Sequence, residues 1–246
     1  MQIGILIIGD EILSGRRQDK HLAHVIDTLA RRNLTLAWAR YVGDDETNLV
    51  DSFRDISARG DLCFSFGGIG ATPDDLTRQC MARAHDLPIV RHPGAVEEIE
   101  AQFGERAYPN RILMADLPVG ANLIPNPKNR IPGFSLGHVH CLPGFPEMAW
   151  PMLDWVMQHH YPDLKGVEYS QYIIKVHNTH ESELIPLQEA IQNNYPTLKI
   201  SSLPRFLENG QPEVELAVKG DVAAASAARD EITAALRERG LEVSML

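Results

Sequence analysis

A glycine-rich turn followed by two acids is the stretch of this sequence whose residue types point most directly to chemistry. Residues 66–77 read FGGIGATPDDLT, directly after a short apolar run and directly before a helical pattern. This order predicts a turn between a strand and a helix. Glycines let a ligand approach the backbone, and the amides at a helix start bind anions, so phosphate is the expected ligand. The candidate binding residues of the turn are Gly67, Gly68, Gly70, Thr72, Asp74 and Thr77.

The paired carboxylates Asp74 and Asp75 distinguish this turn from better-known glycine motifs. Pro73 stands where a dinucleotide fingerprint needs its third glycine, and the Lys of a P-loop is absent. Two carboxylates repel a phosphate unless a cation intervenes or one of them acts on a proton. The alternative makes Thr72 or Asp74 a helix N-cap, with Pro73 near the first turn. That alternative explains one of the acids, but not three glycines together with both.

The elements that must position these groups are predicted to be strands of a parallel sheet. The run Ile3 to Ile8 is uniformly apolar and ends at Gly9, which is typical of a strand covered on both faces. A second strand, from Thr35 to Val42, leads into the acidic loop at residues 43–46. Ligands of open α/β sheets bind where the strands end, so both exit loops face the expected site.

Several motifs along the chain together resemble the molybdopterin-binding fold of the MoaB/Mog proteins, and in particular its CinA-like branch. They are GGIGATPDDLT at residues 67–77, GDEILSG at 9–15, VGDD at 42–45, NRILMADLPVGA at 110–121 and LPGFPEM at 142–148. The resemblance implies that Asp44 and Asp75 are the catalytic acids and that both hold a divalent cation such as Mg²⁺. Such acids from separate strand ends suit metal-assisted phosphoryl chemistry. The other binding residues that it implies are Gly9, Asp10, Glu11, Ser14, Gly15, Asn126, Gly133, Pro143, Gly144 and Glu147.

Two of these positions keep a plain structural alternative. Glu11 could be a solvated acid in a turn, and Glu147 could serve only to complement the dipole of the helix that it begins. His21 stands where the family commonly has asparagine, and we expect it to be solvated.

The loop at residues 129–133 departs from the family pattern. It reads NRIPG where G-T-A-P-G is usual, so Arg130 replaces a small residue. Its guanidinium could donate to a phosphate, or it could fill space that a ligand needs. Both interpretations stay open here.

The resemblance leaves two classes of function in competition. One is a pyrophosphohydrolase acting on ADP-ribose-like or FAD-like substrates. Within the same enzyme class, adenylylation of molybdopterin in molybdenum cofactor biosynthesis is the alternative reaction. The other class is a binding module that holds a pterin cofactor, or serves another protein, without turnover. It also implies a homo-oligomer, since dimers and trimers both occur among such proteins.

Composition limits the partners that the protein could have. The formal net charge is −10, from 23 basic and 33 acidic residues, which disfavours a nucleic-acid partner. The first residues have neither a basic start nor a long apolar run, and the three cysteines are scattered. We therefore expect a globular cytoplasmic protein with no membrane segment.

Two domains are predicted. Residues 1–162 should form a doubly wound α/β domain with a mostly parallel sheet, like that of the MoaB/Mog proteins. After a linker rich in turn residues, residues 167–246 show the order β-α-β-β-α-β of a small α+β, ferredoxin-like domain.

Overall fold

The chain divides into two compact units, which are described one at a time. The computed structural model describes residues 1–246. The first unit is Met1–Lys165 and the second is Gly166–Leu246. No helix of either unit combines the length and the apolar character needed to cross a membrane.

The first unit is built on a six-stranded sheet. Its strands are β1 (Ile3–Ile8), β2 (Trp38–Val42), β3 (Leu62–Phe66), β6 (Asn122–Ile124), β7 (Gly133–Leu136) and β8 (Val139–Leu142). They lie in the order β2-β1-β3-β8-β7-β6. The strands β2, β1, β3 and β8 run parallel to one another. Strand β7 runs antiparallel to β8, and β6 runs antiparallel to β7. The ends of β1, β2, β3 and β8 therefore meet at one edge.

Helices cover both faces of this sheet. They are α1 (Asp10–Leu13), α2 (His21–Ala30), α3 (Glu46–Arg59), α4 (Thr77–Ala84), α5 (Pro93–Phe103) and α6 (Pro146–His159). Alternate residues of β1 point to opposite faces, so Leu6 and Ile8 join one core while Ile5 and Ile7 join the other. The predicted doubly wound fold with a mostly parallel sheet is confirmed.

Four short strands were not expected, and two of them, β6 and β7, belong to the main sheet. Residues 87–90 read as an apolar link, but β4 (Ile89–Arg91) pairs antiparallel with β5 (Asp116–Pro118) as a separate two-stranded sheet. Two 3₁₀ turns, Gly104–Ala107 and Arg111–Ala115, lie between these strands. The predicted second strand also begins later than expected, at Trp38 rather than Thr35.

The second unit has the predicted α+β fold. Its elements are β9 (Ser170–His177), α7 (Glu181–Asn194), β10 (Lys199–Phe206), β11 (Pro212–Gly220), α8 (Val222–Glu238) and β12 (Val243–Met245). The strands form one antiparallel sheet in the order β10-β11-β9-β12. Buried residues of both helices pack on this sheet, as in a ferredoxin-like unit.

Candidate functional site

The glycine turn has a backbone that only glycine accommodates without strain. It follows β3, and Gly67 and Gly68 have φ angles of 105° and 66°. A Cβ atom at Gly67 would lie 2.3 Å from the carbonyl oxygen of Ile8, and one at Gly68 would lie 2.5 Å from Oγ1 of Thr77. Both glycines are therefore required by the close packing of the turn.

Thr77, the first residue of α4, anchors the turn by two hydrogen bonds. Its hydroxyl donates to the Gly67 carbonyl at 2.9 Å, and its N–H donates to the Gly68 carbonyl at 3.0 Å. Thr77 is fully buried and does not line the cleft described below, so it positions the turn and does not face a ligand. The amides of Gly68, Ile69 and Gly70 have no acceptor within the protein and remain free to bind an anion.

The segment between the glycines and α4 is a turn, so the alternative in which Thr72 or Asp74 is a helix N-cap is wrong. The helix begins only at Thr77. Oδ2 of Asp75 accepts hydrogen bonds from the N–H of Thr72, at 2.9 Å, and from the Thr72 hydroxyl. Asp75 thus holds the turn with one oxygen, and its Oδ1 makes no hydrogen bond within the protein.

Arg78, which sequence analysis did not select, ties the turn to a neighbouring segment. Its guanidinium donates to the carbonyl oxygens of Gly70, Leu113 and Asp116. The residue is buried, and burial lowers the pKa of the guanidinium from its ordinary value. Both terminal nitrogens of Arg78 donate to backbone carbonyls, while its Nε is buried without a partner, so this residue fixes the shape of the turn.

Asp44 and Asp10 brace each other across the neighbouring ends of β2 and β1. The N–H of Asp10 donates to Oδ2 of Asp44 at 3.0 Å, and the N–H of Asp44 donates to Oδ1 of Asp10 at 3.2 Å. Burial raises the pKa of Asp44, and the nearby carboxylates of Asp10, Glu11 and Asp74 raise it further. The acids that follow β1, β2 and β3 are therefore close enough to repel one another, and this repulsion favours a cation between them.

A cleft of about 840 Å³ opens at this edge of the sheet. This volume is in the range of small-molecule sites, roughly 300–1,000 Å³. The predicted site residues that line it are Gly9, Glu11, Asp44, Gly67, Gly68, Gly70, Thr72, Asp74, Asp75, Asn126, Pro143, Gly144 and Glu147. The structure thus brings Asp44 and Asp75 to one cleft.

Other predicted site residues lie outside the cleft for identifiable reasons. Asp10 and Thr77 support neighbouring backbone, as described above. Ser14 and Gly15 lie at the exposed end of α1. Gly133 lies in β7, where a Cβ atom would be 2.5 Å from the carbonyl oxygen of Cys141. That glycine is needed for strand packing and does not face a ligand.

Arg130 also lies outside the cleft, so neither interpretation of it describes this structure. Its Nε lies 2.9 Å from Oε2 of Glu98 on α5, and both side chains are about half exposed. The residue itself has a φ of 61°. Its neighbours Asn129 and Ile131 line the cleft instead. Asn126 shapes this loop, because its Nδ2 donates to the Ile131 carbonyl at 3.0 Å.

His21 is a wall of the cleft, and the expectation that it would be solvated is wrong. It is 5% exposed and stacks on Phe66, with ring centroids 4.3 Å apart. The buried residues of α2 are His21, Val25, Thr28 and Leu29. This three-four spacing places His21 on the inner face of the helix and could have revealed it.

The acids of the cleft fit a divalent cation only together with a ligand. No group of three or more His, Cys, Asp or Glu side chains in the chain could hold a metal by itself. Mg²⁺, however, usually takes one or two carboxylates and completes its shell with waters and ligand phosphates. Asp44 and the unused oxygen of Asp75 could supply those carboxylates.

Comparison with known proteins identifies the class of this domain. Residues 4–165 match the family model described as a probable molybdopterin binding domain. Because the match covers more than half of the chain, the chain belongs to that family.

Individual relatives confirm the resemblance to the CinA-like branch. A CinA-like protein of Anaeromyxobacter sp. (strain K) is 36% identical over 167 residues, which are 65% of this chain and 41% of that protein. This chain thus spans about two fifths of the length of that relative. A protein of Caldivirga maquilingensis is 29% identical over 248 residues, or 97% of this chain and 95% of its own length. The crystal structure of CinA from Thermoplasma acidophilum, a protein of unknown function, is 27% identical with a TM-score of 0.59, covering 64% of this chain and 98% of that one.

Proposed function

We propose that the first unit binds a phosphorylated heterocyclic ligand and hydrolyses the pyrophosphate bond of an ADP-ribose-like or FAD-like substrate with the help of a divalent cation. The observation that carries this proposal is the meeting of two features in one cleft. The free amides of Gly68, Ile69 and Gly70 offer an anion site, and the carboxylates of Asp44 and Asp75 offer a cation site beside it. A pyrophosphate with its cation needs both.

The chain's own groups would act mainly by positioning. The turn amides hold one phosphate, and Asp44 and Asp75 are the residues that would hold the cation. When bound, the cation neutralises phosphate charge and can activate water. The water oxygen bonds to one phosphorus while the bridging P–O bond breaks, which yields two monophosphates. The proton of the attacking water passes to solvent, and the bridging oxygen leaves on the second phosphate.

Conservative variants of both acids test this mechanism. Asp75→Asn removes charge but little volume and leaves an amide oxygen that can accept from Thr72. We expect this variant and Asp44→Asn to lose at least about 100-fold in the rate of ADP-ribose hydrolysis, the scale of one catalytic group. The matched control is Asp51→Asn, which alters an acid on α3 outside the cleft. Wild-type rates in both cleft variants would refute the mechanism.

A second function is favoured by the family to which the chain belongs. The matched model describes molybdopterin binding, and transfer of an adenylyl group to molybdopterin would use the same cleft with a different nucleophile. Calorimetry with ADP-ribose, FAD, ATP and a pterin phosphate, each with and without Mg²⁺, separates the ligands. Phosphate release after treatment with a phosphatase then separates turnover from binding alone. Binding without turnover would make the chain a non-catalytic module.

We further propose a cytoplasmic homo-oligomer. Three free, buried cysteines support a compartment without disulfide formation. Light scattering after gel filtration tests the oligomeric state, and a monomer at micromolar concentration would exclude it.

A further inference from the structure

The basic side chains that line the cleft both come from one loop. They are Arg17 and Lys20, which lie between α1 and α2. The other charged residues of the lining are acids, namely Glu11, Asp19, Asp44, Asp74, Asp75 and Glu147. So many acids repel a phosphate, and the two basic groups are the side chains of the cleft that can offset this repulsion. The mechanism proposed above gives neither of them a role.

The guanidinium of Arg17 lies beside the glycine turn. Its Nη1 is 3.9 Å from Oε1 of Glu11, which follows β1, and its Cζ is 5.4 Å from the ring centroid of Phe145, which follows β8. In the sheet, β3 lies between β1 and β8, and the glycine turn follows β3. A group that reaches from the end of β1 to the end of β8 therefore passes the end of β3 and the turn.

The packing of the loops supports this placement. A Cβ atom at Gly144 would lie 3.5 Å from Cα of Gly67, and one at Gly67 would lie 2.3 Å from the carbonyl oxygen of Ile8. The loops that carry Phe145 and Glu11 thus flank Gly67 on both sides. A phosphate bound at the amides of the turn would have the long side chain of Arg17 as a neighbour.

The donors of Arg17 are accessible and unused. The side chain is 52% exposed. Its distance of 3.9 Å from Glu11 is too long for a hydrogen bond, and contact with the Phe145 ring requires no N–H group. All five N–H donors of the guanidinium therefore remain available, in the planar arrangement that suits two oxygens of one phosphate.

Lys20 adds a second free cation to the same loop. It is exposed, lines the cleft and makes neither an ion pair nor a side-chain hydrogen bond within the protein. The carboxylate of its neighbour Asp19 accepts from the N–H groups of His21 and Leu22, at 2.8 and 3.1 Å. That acid is thus engaged in fixing the start of α2, and the ammonium of Lys20 stays a free point charge.

We propose that Arg17 and Lys20 form a second anion subsite, which binds the other phosphate of a diphosphate ligand whose first phosphate lies on the glycine turn. Arg17 donates to two oxygens of that phosphate, and Lys20 contributes charge beside it. The subsite makes the cleft selective for diphosphates over monophosphates. The inference rests on the proposed function in taking the glycine turn as the first phosphate site, but it does not require turnover.

A pair of nucleotides that differ by one phosphate group tests the subsite. Calorimetry in the presence of Mg²⁺ compares AMP with α,β-methylene-ADP, whose P–C–P bridge prevents hydrolysis between the phosphates. The wild-type protein should bind the diphosphate analogue at least about tenfold more tightly, because hydrogen bonds to a charged group are among the strong ones.

Variants then assign the preference to the two basic residues. Arg17→Gln should weaken α,β-methylene-ADP by about tenfold and leave AMP unchanged. Lys20→Gln should weaken it by about threefold, since an exposed ammonium offers one screened point charge. Both residues are exposed, so the variants should keep the wild-type melting temperature.

The matched control is Arg16→Gln. Arg16 is the exposed neighbour of Arg17, but it does not line the cleft, and its Nε lies 3.4 Å from the hydroxyl oxygen of Ser14. The control removes the same charge from the same loop. It should therefore keep the wild-type affinity for both nucleotides.

The outcomes are distinguishable from those of the proposed function. The inference is overturned if the wild-type protein binds neither nucleotide or shows no preference for the diphosphate. It is also overturned if Arg17→Gln keeps the preference, or if Arg16→Gln loses as much of it. The expected preference without hydrolysis of any substrate would remove only the pyrophosphohydrolase proposal. Hydrolysis that depends on Asp44 and Asp75 while Arg17→Gln binds like the wild type would remove only the subsite.

Discussion

Replacing Thr77 by Val tests whether the glycine turn depends on a single buried hydrogen bond. The substitution keeps the volume and the branched Cβ but removes the hydroxyl that donates to the Gly67 carbonyl at 2.9 Å. The N–H of residue 77 still donates to the Gly68 carbonyl, so α4 keeps its start. Only one bond of the anchor is lost.

The magnitude follows from the burial of both partners. Thr77 has no exposed surface and Gly67 is buried, so water cannot replace the missing donor. An unpaired buried acceptor costs about 1–3 kcal/mol. For a unit of this size, each kcal/mol lowers the melting temperature by roughly 2–4 °C. A looser turn also holds its amides less well, and a loss of about 1 kcal/mol there is roughly a fivefold loss of ligand affinity.

The assay separates the hydrogen bond from packing. All three tryptophans, Trp38, Trp150 and Trp155, belong to the first unit, so urea unfolding followed by their fluorescence reports on that unit. Thr77→Ser keeps the hydroxyl and loses one methyl group, about 0.8 kcal/mol, and should keep wild-type affinity for ADP-ribose. The reasoning fails if Thr77→Val matches the wild type in both stability and affinity, or if Thr77→Ser loses as much affinity as Thr77→Val.

Two further substitutions probe residues outside the cleft. Arg130→Ala removes an exposed ion pair with Glu98, so it should lower the free energy of unfolding by no more than about 1 kcal/mol. It should leave the affinity for ADP-ribose unchanged, and weaker binding by calorimetry would show that Arg130 belongs to the site. His140→Phe should flatten the dependence of stability on pH. Burial, with some effect of His160 and His138, lowers the pKa of His140 to about 3. Below pH 6.5 the unfolded chain binds a proton that the folded chain does not, so wild-type stability falls from this group by about 1.4 kcal/mol per pH unit. Urea unfolding at pH 7, 6 and 5 measures both slopes, and equal slopes would contradict the assignment.

The fold could be predicted because its main elements carry strong periodic signals. The apolar strand β1 contributes side chains to the cores on both faces of the sheet. In α2 and α3 the apolar residues are spaced by three and four, which predicts one buried face on each helix. The strands β4 and β5 have only three residues each, too few to show a period. Their pairing depends on contacts between segments distant in sequence.

The site could be predicted in part, because unusual residue types mark it. Three glycines beside two acids are informative in sequence, and the structure places them on one cleft. Side-chain direction is a different matter. Arg130 has a positive φ, and its side chain pairs with Glu98 on α5. His21, at the start of α2, is covered by the ring of Phe66 at the end of β3. Neither partner can be read from the local sequence.

The cleft gathers groups whose arrangement opposes stability. Asp44 is partly buried beside other acids, and burial, together with the repulsion of those acids, raises its pKa. Nδ1 of His21 and Nε1 of Trp150 are buried without a partner in the walls of the same cleft. Like charges close together and unpaired buried polar atoms lower stability, and in proteins they are found mainly at binding and catalytic sites. A cation beside Asp44 would relieve the repulsion among the acids. A phosphate at the glycine turn would complete the coordination of such a cation, since Mg²⁺ usually combines one or two carboxylates with ligand phosphates.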